Sequence, residues 1–255
     1  MTGRERVDFL VVGAQKAGTN AMRHYLSLHP SIGLHSAQEA HYFDSDQLFT
    51  SHAAQEEYHR CFPPARETLR RGEVTPIYMY WRPSMQRIWE YNPDIRLIAL
   101  LRNPVERAYS HWNMERNRGL ETLPFLAALG GERARLRAAR PLQDRVHSYI
   151  DRGFYTEQIR RMWSYVDERQ TLFIRSDLLA SEPRAQLRRV CEFLDIDDVY
   201  QQVEATRVFE GTYSAPIEKA AVDLLNHVFE GELRSIEQML SWDLASWRSQ
   251  SGSHA

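Results

Sequence analysis

Short apolar runs along this chain alternate with stretches in which apolar residues recur every three or four positions. VDFLVVG ends at Gly13 and has the length and composition of a buried strand. TNAMRHYLSLHP follows, with apolar residues at Ala21, Met22, Tyr25, Leu26 and Leu28 and with Pro30 at its end. That spacing predicts a helix, with Thr19 or Asn20 as its N-cap. IRLIALL (95–101) predicts a second strand, and PVERAYSHWNMERN a helix after it with Pro104 in its first turn. QTLFIRS (170–176) predicts a third strand followed by helical PRAQLRRVCEFL, and GEVTP (72–76) is a candidate short strand. FYTEQIRRMWSYV and IEKAAVDLLNHVFEGELRSIEQML read as helices. GGERARLRAARPLQDR (130–145) is the most loop-like stretch, an insertion and not a linker, and the chain from about 245 reads as a frayed tail. Strands alternating with helices imply an α/β fold: a mostly parallel central sheet flanked by helices in three layers, here as one domain over 1–255.

Charge narrows the partners. The formal net charge of −2 argues against a general nucleic-acid binder. Arg133, Arg135, Arg137 and Arg140 crowd one segment, which suits either an acidic acceptor or a solvated helix face. The two cysteines, Cys61 and Cys191, lack C-x-x-C spacing, so buried thiols in a reducing compartment are expected in place of a zinc site or a disulfide. Neither the amino terminus nor any later run reaches the roughly 18 apolar residues of a membrane span, which leads to the expectation of a soluble cytoplasmic protein with no membrane partner. Oligomeric state is not legible.

The chemistry begins at GAQKAGTN, residues 13–20. Gly13 and Gly18 have the spacing of a Walker A phosphate loop, but Thr19 replaces its lysine and Asn20 its magnesium-holding hydroxyl. Lys16 lies two residues before the second glycine. A strand, a glycine turn and a helix amino terminus make an anion site from backbone amides and the helix dipole. A plain strand-to-helix turn is the alternative. The strand IRLIALL ends in Arg102 where a nucleotide triphosphatase would place an acid. Ser110 follows eight residues later, and the pair suits a phosphate held by a guanidinium and a hydroxyl. Equally, Arg102 could pair with Glu106 on the surface.

Together, GAQKAGTNAMRHYLSLHP and LIALLRNPVERAYSHW resemble the sulfotransferases that use 3′-phosphoadenosine 5′-phosphosulfate (PAPS), with a P-loop-like α/β fold. QEAHYFD brings the likeness nearest to the heparan sulfate sulfotransferase-like subgroup, here as a soluble, bacterial-type member. The resemblance implies that Lys16, Ala17, Gly18, Thr19, Asn20 and Ala21 contact the 5′ group of PAPS, and that Arg102 and Ser110 hold its 3′-phosphate. In a softer match, Arg207, Gly211, Thr212 and Tyr213 are candidate contacts to the 3′-phosphate or adenine. The product would be the desulfated bisphosphate, PAP. A sulfuryl group carries one negative charge fewer than a phosphoryl group, so amides, a lysine and an arginine can manage its transfer without metal.

An acceptor hydroxyl must lose its proton, and Glu39 and His41 are the candidates. In extended chain they point to opposite faces; in a turn they converge. The resemblance assigns Glu39 as base with His41 assisting, and Lys16 as the cation on the leaving phosphate. Val74 stands where heparan sulfate enzymes often have lysine, which favours a small-molecule acceptor over a glycan. A metal-dependent P-loop kinase and a non-catalytic nucleotide-binding module are the competing readings.

Overall fold

The computed structural model describes residues 6–64, 70–202 and 216–249. Five strands form one sheet in the order β2-β3-β1-β4-β5: β1 Phe9–Gly13, β2 Ile32–Leu34, β3 Arg70–Val74, β4 Arg96–Leu101 and β5 Thr171–Arg175. Every pairing is parallel. The helices are α1 Thr19–Ser27, α2 Asp46–Phe49, α3 His52–Arg60, α4 Arg82–Tyr91, α5 Pro104–Asn117, α6 Phe125–Ala138, α7 Tyr155–Trp163, α8 Ser176–Ser181, α9 Pro183–Leu194, α10 Lys219–Leu240 and α11 Ala245–Ser249. This is the expected α/β architecture, a parallel sheet flanked by helices.

The sheet's order explains its sequence pattern. β1 lies between β3 and β4 and is buried at all five positions, so it reads as an unbroken apolar run. β1 connects toward β2 on one side and β4 toward β5 on the other. A sheet whose connections diverge in this way opens a crevice at the strands' carboxyl ends. β3 carries the charged sequence RRGEV, yet its last four residues are buried. Gly72 permits this, because a Cβ there would stand 2.2 Å from the Phe9 ring. Replacing Gly72 with Ala overpacks this contact, at an expected cost of about 1–3 kcal/mol in a denaturation experiment. A variant as stable as the parent would show that Phe9 can move aside.

By internal contacts the chain divides into two compact units, one of residues 1–101 and 161–209 and the other of 102–160 and 210–255. The first holds the sheet. The second is helical, and α5, α6 and α10 meet around Val105, Tyr109, Phe125, Leu129, Leu225 and Phe229.

Three expectations change. Gly18 is the N-cap of α1, with φ of 90° in the left-handed region, so Thr19 and Asn20 fall inside the helix. The segment expected to be loop-like from residue 130 continues α6 to Ala138, and Arg135 there pairs with the buried Glu121. The tail is also more ordered than expected. Trp247 of α11 is buried, and its carbonyl accepts Asn103 Nδ2 at 2.7 Å within the second unit. Residues 250–255 lie outside the described ones. Both cysteines are free thiols, Cys191 buried and Cys61 half-buried. No described helix is long and apolar enough to cross a membrane.

Candidate active site

The phosphate loop grows directly out of β1. Met79 N donates to Val12 O at 2.8 Å and Ala14 N to Leu100 O at 2.7 Å, so the loop leaves a chain already held on both sides. Ala17 N closes a tight turn onto Ala14 O at 3.1 Å. Lys16 sits at φ of 70° and Gly18 at 90°, two left-handed residues in a turn of five. Such alternation aims successive backbone N–H groups into one concavity. Gly18 has no side chain with which to cap α1, which leaves the first-turn amides of Thr19, Asn20 and Ala21 without a cap from that position. Gly18 is exposed while Ala17 and Thr19 are buried, so the turn presents backbone, not side chain, to a ligand. An anionic group fits here.

Glu39 and His41 converge. His41 has φ of 54°, and this left-handed residue folds its ring back so that Nε2 lies 3.2 Å from Glu39 Oε2. On the ring's other side, Nδ1 lies 3.1 Å from Oδ2 of Asp44, which is only 3% exposed. Hydrogen bonds to Asp44 first and Glu39 second raise the His41 pKa to about 10, against the opposing effect of burial. His41 is therefore an imidazolium at neutral pH, clamped between two carboxylates.

The loop that carries these residues is pinned from beneath. Thr75 Oγ1 accepts the Ala40 amide at 3.0 Å, and the Tyr78 hydroxyl accepts those of Tyr42 and Phe43 at 2.9 and 3.3 Å. Gln38 Nε2 donates to Asn20 Oδ1 at 3.3 Å, which ties the loop to the first turn of α1. Glu39 and the phosphate loop thus belong to one compact unit.

Arg102 directly follows β4, and Asn103 caps α5 by accepting the Val105 amide at 3.0 Å. The Arg102 guanidinium binds Glu106 Oε2 through Nε at 3.0 Å and Nη2 at 2.9 Å, which is the surface pairing weighed above. Its carbonyl accepts the Tyr155 hydroxyl at 2.9 Å. Ser110 lies on α5 and is 5% exposed. Both belong to the second unit. Arg207, Gly211, Thr212 and Tyr213 lie outside the described residues.

Asp44 was not singled out from sequence, although it closes the QEAHYFD stretch that carries the resemblance. Thr75 and Tyr78 were also missed, since nothing local marks a hydroxyl as the anchor of a loop more than thirty residues away.

The family model of the sulfotransferase domain matches residues 6–235. Human heparan sulfate glucosamine 3-O-sulfotransferase 6 is 30% identical over 200 residues, covering 77% of this chain and 55% of that protein. Mouse heparan sulfate glucosamine 3-O-sulfotransferase 3A1 is 30% identical over 187 residues, covering 73% and 45% respectively. The chain spans about half the length of these curated relatives. A crystal structure of a sulfotransferase from Alicyclobacillus acidocaldarius superposes with a TM-score of 0.79 at 27% identity, covering 95% of this chain and 99% of that one. A glycine turn at the carboxyl end of β1, an acid–histidine–acid cluster beside it and a match across 6–235 place this chain in the sulfotransferase domain family.

Proposed function

We propose that this protein moves the sulfuryl group of PAPS onto an acceptor hydroxyl, without metal, within one catalytic domain. The observation that carries this reading is the placement of Glu39. Its carboxylate stands beside an imidazolium on a loop joined to the helix that opens from the phosphate turn. Amides of residues 17–21 and Lys16 hold the 5′-phosphosulfate, while Arg102 and Ser110 take the 3′-phosphate. Arg102 would then share or exchange its partner Glu106.

In the reaction, the acceptor oxygen attacks sulfur and the bond from sulfur to the 5′-phosphate oxygen breaks. Glu39 takes the acceptor's proton, and PAP leaves with the bonding electrons. Lys16 faces the charge that grows on that oxygen. His41, already protonated, is the partner that orients Glu39 and not a second base. Val74, buried beside Glu73 and Thr75, supplies no cation near the acceptor, which favours a small hydroxylated molecule over a sulfated polysaccharide.

Thermal unfolding with PAP and with Mg-ATP tests the donor assignment. PAP at about 100 times its Kd adds about 2.7 kcal/mol, a rise of roughly 5–10 °C in Tm. Stabilisation by Mg-ATP alone would identify a kinase-like site. Transfer is read by mass spectrometry as the gain of one sulfate on an alcohol or phenol incubated with PAPS and the protein.

A further inference from the structure

Arg23 lies on α1, one helical turn beyond Thr19, and its Nη2 donates to the His35 carbonyl at 2.7 Å. Its Nη1 is buried and reaches no acceptor among the described residues. Glu73, on β3, is 1% exposed, and its carboxyl meets the Tyr78 hydroxyl. When ionised, Glu73 is attracted to the Arg23 guanidinium. Glu73 is also faced by the Tyr78 hydroxyl from the turn after β3, by Tyr58 of α3, and by Asp44 and His41 of the loop. Burial pushes its carboxyl up to about 8, so the neutral acid prevails at pH 7.

These two residues border two anchors of the loop that bears Glu39, one at His35 and one at the Tyr78 hydroxyl. Arg23 grips the chain where it leaves β2, at His35, whose own amide donates to Gly72 O at 3.0 Å. Beside Glu73, the Tyr78 hydroxyl holds the amides just past His41. The loop between is fixed at its two ends, and the fixed points refer back to α1 and β3. A guanidinium bound to a carbonyl sets a distance and direction that packed apolar groups would leave loose. Apolar packing would stabilise the core at least as well as this pair, so stability alone does not account for it.

We propose that Arg23 and Glu73 are positioning residues: a half-buried guanidinium and a buried carboxyl, touching neither donor nor acceptor, that set where Glu39 stands relative to the phosphate turn. This rests on the reading of Glu39 as base. Misplacing a reacting group by about 1 Å costs up to about 10²-fold in rate. Arg23→Met is therefore expected to lower kcat about 10–100-fold while the PAP Kd changes little.

The deciding measurement is a double-mutant cycle of Arg23→Met with Glu39→Gln, in steady-state kinetics with PAP binding measured alongside. If Arg23 acts through Glu39, adding Arg23→Met to Glu39→Gln produces little further loss. A further loss as large as in the parent background would overturn the proposal and make Arg23 a merely structural residue. Should Glu39→Gln alone leave kcat intact, the base assignment fails, which is a separate result. Should Arg23→Met not fold, Arg23→Lys, which keeps a donor on a similar stem, carries the same cycle. For Glu73, ionisation draws on Arg23 and the Tyr78 proton and loosens the loop, so the parent's rate falls above about pH 8. Glu73→Gln should remove that fall while matching the parent at pH 7, and an unchanged alkaline limb would exclude Glu73 from the role.

Discussion

Glu39→Gln lowers kcat about 10²–10⁴-fold and leaves PAP affinity nearly unaltered. Glutamine keeps the size and much of the hydrogen bonding of glutamate but cannot take a proton. The size of the loss follows from the surroundings. His41 is the other candidate base within 3.2 Å, and its bonds to Asp44 and Glu39 hold it protonated up to about pH 10. Glutamine removes the part of that support that Glu39 gives, but the bond to Asp44, the larger cause, remains to raise the His41 pKa. Asp44 is buried and faces the ring's Nδ1. Steady-state kinetics beside a calorimetric PAP titration separate rate from binding. A kcat within a few-fold of the parent's would remove Glu39 from the mechanism.

Lys16→Ala is the second large effect, expected to lower kcat about 10²–10³-fold while weakening PAP binding by much less. The donor's bridging oxygen gains charge only as its bond to sulfur breaks. A cation aimed at it therefore stabilises the transition state more than it stabilises the bound nucleotide. Lys16 also occupies a left-handed conformation, φ 70°, which alanine tolerates no better than lysine. The substitution thus removes the amine without relieving the turn, and a change in Tm would be small. Lys16→Met, which keeps the length of the stem, guards against loss of packing. Equal losses in kcat/KM and in PAP affinity, with kcat untouched, would reduce the lysine to an anchor.

The elements most legible in the sequence are those whose cause is local. β1 and β4 read as strands because strands buried inside a parallel sheet are nearly continuous apolar runs, and β5, at the sheet's edge, reads as one from its short Thr-Leu-Phe-Ile run. α5 begins where Asn-Pro follows a strand, since the asparagine caps and the proline suits a first turn. The glycine turn was legible because its spacing reflects backbone geometry, and Lys16 and Arg102 each follow closely in sequence the strand that carries them.

Residues whose roles depend on distant partners were not legible. The spacing of Glu39 and His41 left their convergence open; it was decided by a single left-handed residue and by Asp44. β2 has three residues, too few to show a period, whereas β3 was expected as a short strand at 72–76 and starts earlier, at Arg70, where Arg70 meets the Leu194 carbonyl and Arg71 lies over the Phe62 ring. Gly18 displaced Thr19 as the cap of α1 because the turn needs a left-handed residue at that point. Local patterning thus determined most of the strands, the main helices and the glycine turn of this protein, because a helix or strand records its own burial in its periodicity. The tertiary structure alone decided which acid is oriented, which histidine is charged, and that Arg23 and Glu73 stand behind them, because those properties arise between residues that only folding brings together.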